Sequence, residues 1–194
     1  SDPKTLKKQL RSLTLARRDA LALDWRVEMS LKIADDGARD LSVIPGDAVS
    51  GFLPMRSEVD IRPLMAALAE KGGRICVPAI LDKTTIEFRE LVRGAPLIDM
   101  GFGTVGPGPD ATVLDPALML VPLAVFDRQG NRIGYGAGYY DRAIARLIAK
   151  GMTPRLVGIA YDCQEVGAVP AEPHDVPLDA ILTESGLRRF NACG

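Results

Sequence analysis

Residues 118–142 read LMLVPLAVFDRQGNRIGYGAGYYDR, an apolar run, then alternating glycines, then the start of a helix. Gly134, Gly136 and Gly138 carry no side chains, so backbone N–H groups there can approach an anion closely. The helix that follows adds the positive end of its dipole, which makes phosphate the natural guest. The same spacing also serves a tight turn, and it matches neither the P-loop nor the GxGxxG dinucleotide pattern. Asp141 lies where the loop becomes helix. There it either complements the helix dipole or holds magnesium against phosphate oxygens. Asp179 opens the strand in VPLDAILTE, where an uncompensated buried carboxylate would be costly, so a metal shared with Asp141 is one way to satisfy both.

Other side chains can reach a ligand from further away in sequence. Lys7 and Arg11 are one helical turn apart, with Lys4 close to the same stripe. Such a face is either solvated or a clamp on phosphates, Arg11 offering a planar fork and Lys7 a point charge. Glu58 follows the strand end Phe52-Leu53-Pro54-Met55. It either accepts from a heterocycle with N–H donors or serves as an acid before the next helix. Tyr139 and Tyr140 are adjacent, so one ring can stack on a planar ligand while the other packs. His174 is the single histidine and has no Ser or Cys nucleophile motif beside it, which points to a hydrogen-bonded loop residue.

These residues require elements to hold them. Leu6, Leu10, Leu13, Ala16 and Ala20 recur at helical spacing, and a second helix is predicted from Trp25 to Ala38. Val49–Leu53 suits a buried strand, Ile61–Lys71 a helix stopped by Gly72 and Gly73, and Arg74–Ile80 and Thr85–Leu91 two further strands. Residues 94–116 are rich in glycine and proline and read as a long ordered loop. Ala117–Val125 is expected to be a central parallel strand, Tyr139–Lys150 a helix, and Arg155–Tyr161 and Asp179–Thr183 the last strands. Strands alternating with helices imply a three-layer α/β fold around a mainly parallel sheet. In such sheets ligands bind at the carboxyl ends of the strands.

Composition sets the outer limits. The 194 residues suit one domain, and 47% hydrophobic content supplies an ordinary core. Net charge is −1, so no global field draws nucleic acid or a membrane, although Lys4, Lys7, Lys8, Arg11, Arg17 and Arg18 crowd the first segment. Cys76, Cys163 and Cys193 are far apart, which argues against a disulfide framework or a zinc site and suits a reducing cytosol. No apolar run approaches a membrane span, and no coiled coil or large apolar face is evident, so a cytoplasmic monomer is expected.

Taken together, KKQLRSLTLARR, FLPMRSEVD, VPLAVFD, GNRIGYGAGYYDR and EPHDVPLDAILTE resemble the 5-formyltetrahydrofolate cyclo-ligase family over almost the whole chain. The resemblance implies a single cyclo-ligase domain with a fold like that of the sugar-phosphate isomerase and CoA-transferase group (NagB/RpiA-like). It implies ATP- and magnesium-dependent cyclisation of 5-formyltetrahydrofolate to 5,10-methenyltetrahydrofolate, with ADP and phosphate released. It assigns ATP to Lys7, Arg11, Arg132, Ile133, Gly134, Tyr135, Gly136, Ala137, Gly138, Tyr139 and Tyr140. The reduced folate falls to Leu53, Met55, Glu58 and Tyr140, and the metal to Asp141 and Asp179. Two departures accompany it: Tyr135 and Ala137 stand where some members carry basic residues, and Thr104-Val105-Gly106-Pro107 where the family often has a proline–glutamate–proline. A paralogue using ATP on another substrate, and a non-catalytic ligand sensor on the same fold, are the competing readings.

Overall fold

The computed structural model describes residues 2–101 and 104–190. Cys193 of the sequence reading lies outside them. Helices α1 (Pro3–Asp19) and α2 (Leu23–Asp40) open the chain, followed by β1 (Ala48–Ser50), α3 (Arg62–Glu70), β2 (Arg74–Ile80) and β3 (Ile86–Glu90). Next come β4 (Leu97–Gly101), β5 (Thr104–Pro107), β6 (Val113–Leu114), β7 (Leu118–Pro122), β8 (Val125–Phe126) and β9 (Arg132–Ile133). The chain then forms α4 (Tyr139–Ala149), β10 (Arg155–Ile159), β11 (Ala180–Thr183) and β12 (Gly186–Arg189). Helix α1 begins as its residues dictate: the Asp2 carboxylate accepts from the Thr5 N–H at 2.7 Å and Pro3 takes the first turn.

The main sheet runs β12-β11-β10-β7-β1-β2-β3-β6. Its five middle strands are parallel, and antiparallel pairs close both edges. Side chains alternate across β7. Leu118 and Leu120 face Ile33 of α2 and Leu64 and Leu68 of α3, while Met119 and Val121 face Ile144 and Leu147 of α4. Both faces of the sheet are therefore covered, which is why β7 reads as a continuous apolar run. The expected three-layer, mainly parallel arrangement is the one observed.

Several details differ from the sequence reading. Residues 94–116, expected as a long ordered loop, contain the β4–β5 hairpin and β6. The first strand stops at Ser50 rather than Leu53. A Cβ on Gly51 would lie 2.1 Å from the Met65 sulfur, so the chain leaves the sheet where only glycine fits under α3. The run expected to end at Val125 breaks at Pro122, and Val125 starts a hairpin with β9 instead. Strand β12 had no sequence signal of its own. Helix α2 exposes Leu23, Val27 and Leu31 along one face, an apolar stripe that the expectation of a monomer did not foresee. Among the described residues, no helix is long and apolar enough to cross a membrane.

Candidate functional site

The glycine loop is held at its root by buried polar side chains. Asp127 is 2% exposed; one carboxylate oxygen accepts from the N–H groups of Gln129 and Asn131, and the other accepts from Val169 at 2.8 Å. Buried Gln164 donates to the carbonyls of Leu123 and Ala124 at 2.9 and 3.1 Å. These bonds fix the β8–β9 hairpin against the neighbouring loops, and the Ile133 carbonyl accepts from Ala124 at 2.8 Å. From that anchor the chain passes through Gly136 (φ +102°) and Gly138 (φ +71°), left-handed conformations that favour glycine. Gly138 caps α4 without any side-chain hydrogen bond, so first-turn N–H groups are left for an incoming acceptor.

This loop forms one wall of a cavity of about 580 Å³ at the carboxyl edge of the sheet. Lys7 and Arg11 of α1 form a second wall, Leu53, Met55 and Glu58 a third, and Met100, Thr104 and Val105 of the hairpin a fourth. Every residue from Arg132 to Asp141 lines it, so Arg132, Ile133, Gly134, Tyr135, Gly136, Ala137, Gly138, Tyr139, Tyr140 and Asp141 are brought together as expected. Asp179 is not.

The cationic side has defined partners. Arg11 Nε donates to the Gly134 carbonyl at 2.8 Å, and its guanidinium lies 3.6 Å from where a Cβ on Gly136 would sit. Burial draws the Arg11 pKa below its ordinary value, so an anion in the cavity would be favoured there. Arg132 is buried; it pairs with Asp141 at 2.8 Å, and its Nε has no partner among the described residues. Lys7 Nζ lies 2.6 Å from Asp175 and 3.7 Å from Glu172. Burial pushes the Asp175 carboxyl up, but bonds from Lys7 and the Glu172 N–H outweigh it and hold the group below the usual range. His174 is 68% exposed and stands 3.3 Å from Glu172 and 3.4 Å from Asp175, a loop residue at the cavity rim.

The expected Asp141–Asp179 metal pair is corrected by position. Asp179 precedes β11 at the amino end of that strand, away from the edge that carries the cavity. Its carboxylate accepts from the Leu156 N–H at 2.8 Å, which satisfies it without a metal. Among the described residues, no group of three or more His, Cys, Asp or Glu side chains could hold a metal ion. Asp141 alone remains beside the glycine loop.

On the opposite side Glu58 is presented by a tight turn in which Arg56 adopts a left-handed φ of 55° and Glu58 N–H bonds to the Met55 carbonyl. Glu58 Oε1 accepts from the Met55 N–H and Oε2 from the Tyr135 hydroxyl, both at 2.9 Å. Burial pushes the Glu58 pKa up, opposed by those two bonds and by the Arg18 charge. Tyr135 thus differs from its expected role: the residue is 47% exposed, but its hydroxyl is turned onto Glu58 and Arg18 rather than toward the glycine N–H groups. Tyr139 reaches the Asp82 carbonyl at 3.3 Å. Tyr140 lines the cavity; its ring tilts against Phe88, and its buried hydroxyl has no partner among the described residues. Sequence reasoning missed Arg18, Ser57, Asp127 and Gln164, buried polar side chains each of which has at least one partner more than 35 positions away.

Comparison with known proteins agrees with this arrangement. A family model described as the 5-formyltetrahydrofolate cyclo-ligase family matches residues 3–184. The 5-formyltetrahydrofolate cyclo-ligase of Escherichia coli K12 is 30% identical over 175 residues, covering 87% of this chain and 95% of the relative. That of Mus musculus is 26% identical over 193 residues, covering 92% and 93%. Among solved structures, the 5,10-methenyltetrahydrofolate synthetase of Aquifex aeolicus superposes with a TM-score of 0.79 at 28% identity, over 96% of this chain and 93% of that one. The Mycoplasma pneumoniae synthetase gives 0.73 at 25% identity, over 91% and 97%. With the matched region spanning the glycine loop, the Glu58 turn and α1 alike, the chain belongs to the 5-formyltetrahydrofolate cyclo-ligase family of enzymes.

Proposed function

We propose that the protein uses ATP, with magnesium, to cyclise 5-formyltetrahydrofolate to 5,10-methenyltetrahydrofolate. The γ-phosphoryl group passes to the formyl oxygen, folate N10 attacks the formyl carbon and loses its proton, and phosphate leaves with that oxygen. ADP and inorganic phosphate are the other products. A formamide oxygen is a poor leaving group and its phosphate a good one, so the nucleophiles belong to the substrates and no acid–base dyad is needed.

The observation that carries this reading is that one cavity joins a glycine loop flanked by cations to a carboxylate set in a partly apolar wall. The cradle fits nucleotide phosphates on its own chemistry: uncapped α4 N–H groups, the unpartnered Arg132 Nε, and Arg11 held over Gly136. Lys7 would exchange its bond to Asp175 for a phosphate oxygen. Asp141 fits magnesium only as one carboxylate alongside phosphate oxygens and water, which is the habit of that ion. Bound there, magnesium would neutralise phosphate charge. On the far side, Glu58 would accept from the N–H donors of the pterin, with Leu53, Met55 and Tyr140 against its ring.

The sheet order, parallel in the middle and antiparallel at the edges, supports the likeness to the sugar-phosphate isomerase and CoA-transferase group. We take the chain as one cyclo-ligase domain acting as a cytoplasmic monomer, with no nucleic-acid or membrane partner. The apolar stripe on α2 makes sedimentation the check on the monomer. Growth of the methenyl-folate absorbance band on mixing protein, 5-formyltetrahydrofolate, ATP and magnesium tests the activity. Absence of that band with ATP binding intact would point to a paralogue acting on another substrate.

A further inference from the structure

Arg18 closes the last turn of α1 and is 3% exposed, deep for a guanidinium. A buried cation is normally paired directly with a carboxylate. Among the described residues Arg18 makes no such ion pair. Its Nε instead donates to Ser57 Oγ at 2.9 Å, and Ser57 in turn donates to the Asp19 carboxylate. Its other arm donates to the Tyr135 hydroxyl at 2.8 Å, with the guanidinium 5.9 Å from the centre of that ring. Tyr135 passes the polarity on, donating to Glu58 Oε2 at 2.9 Å. The only negative charge at that end of the chain of bonds is the one facing the cavity.

The ordering of Glu58 is consequently complete from both sides. The Met55 N–H fixes one oxygen, the Arg18-backed hydroxyl fixes the other, and the remaining lone pairs are free for a ligand. A carboxylate accepts two parallel N–H donors only when ionised; protonated, it presents a donor of its own and one contact becomes repulsive. We propose that Arg18, acting through Tyr135, is a positioning residue that keeps Glu58 oriented and anionic for a ligand bearing paired N–H donors on a planar ring. This rests on the folate reading of the site and deepens it. It also moves Tyr135 from nucleotide contact to heterocycle selection, the side on which its hydroxyl is found.

The charges around Glu58 agree with that role. Burial pushes its carboxyl toward protonation, and Arg18 and Tyr135 push back. From α1 it faces Arg18, with Asp19 behind Ser57; from the glycine loop Tyr135; from α4 Tyr140; from its own turn the Met55 N–H. Lys4, Lys7, Lys8, Arg11 and Arg132 line the same cavity, as do Asp141, Glu172, His174 and Asp175.

The test uses the full chain with Tyr135→Phe, Arg18→Met and Arg18→Lys, read by separate KM values for 5-formyltetrahydrofolate and ATP and by the pH profile of kcat/KM for the folate. Tyr135→Phe removes one oxygen and keeps the ring, so it stands even if Arg18→Met fails to fold. Expected are a folate KM raised about tenfold with the ATP KM within about twofold, and an acid limb moved to higher pH, as losing one charge-assisted bond implies. Arg18→Lys should restore part of what Arg18→Met loses. Equal rises in both KM values, or an unmoved folate KM and acid limb, would overturn the inference. The titration of Glu58 itself, followed by carbon-13 NMR of labelled glutamate and assigned with Glu58→Gln, separates this from the folate reading. An upward shift in Tyr135→Phe without any folate turnover by the parent would sink the folate reading alone. No shift in Tyr135→Phe would sink the role of Arg18, whatever the substrate.

Discussion

The two long walls of the cavity are built by different physics. On one side the glycine loop, α1 and the start of α4 are tied together by buried polar contacts: Asp127 and Gln164 at the root, Arg132 with Asp141, and Arg11 on the Gly134 carbonyl. On the other, the β4–β5 hairpin exposes Leu97, Ile98 and Val105 and is tied back by Arg89, which donates to the Pro107 carbonyl at 3.1 Å. The first wall holds donors and charges where tenths of an ångström would matter to the proposed phosphoryl transfer. The second supplies apolar area, which tolerates movement because dispersion and water exclusion are not directional. On the proposed function, the cavity is divided between a hydrogen-bonded polar wall that positions and a more apolar wall that encloses.

Breaking the polar wall should have the largest effect. Arg132→Ala is expected to lower kcat for cyclisation by about 1000-fold, the scale for losing a cation that neutralises transferring phosphate. It also strands Asp141, so a lower melting temperature should accompany it. Asp141→Asn should come next, at about 100-fold in kcat with an increased magnesium requirement, measured by metal titration at fixed ATP. If kcat were unchanged, no metal would be held there.

Glu58 sharpens the comparison because it should trade stability for binding. Glu58→Gln is expected to raise the folate KM by about 30-fold, a charged hydrogen bond's worth, and to leave the ATP KM alone. Its pKa is raised on folding, so stability from its neutral form is present at acid pH and lost as pH rises through the folded value. Glu58→Gln should therefore gain stability relative to the parent as pH increases, by about 2 °C in melting temperature near neutrality, and nothing at acid pH. A variant less stable than the parent at neutral pH would contradict this. The smallest change belongs to the hairpin: Val105→Ala should raise the folate KM only about threefold, through lost apolar contact, with kcat unaffected. A fall in kcat comparable to that of Asp141→Asn would mean the hairpin positions as well as encloses.

The site was legible in sequence where it is local. Alternating glycines followed by a helix start dictate a backbone with free N–H groups whatever surrounds it, and the Lys7–Arg11 stripe follows from helical spacing. The fold class was legible for the same reason: apolar runs alternating with amphipathic ones leave few options other than layered helices on a parallel sheet. The hairpin in residues 94–116 was not, because its strands are short, glycine-broken and largely exposed, with Met100 and Gly106 turned in and little alternation to see.

What the amino-acid sequence by itself determined, then, is the cradle, the α/β layers and the identity of the groups able to meet a phosphate. Only the tertiary structure decided which of them share a place. Asp179 resembles a ligand in its motif yet sits at the amino end of β11, bonded to Leu156. Tyr135 lies in the glycine loop yet serves Glu58, 77 positions away, and Lys7 is held by Asp175, 168 positions away. Such partnerships depend on where distant segments are packed, and a hydrogen bond needs a distance of about 3 Å that no local pattern encodes.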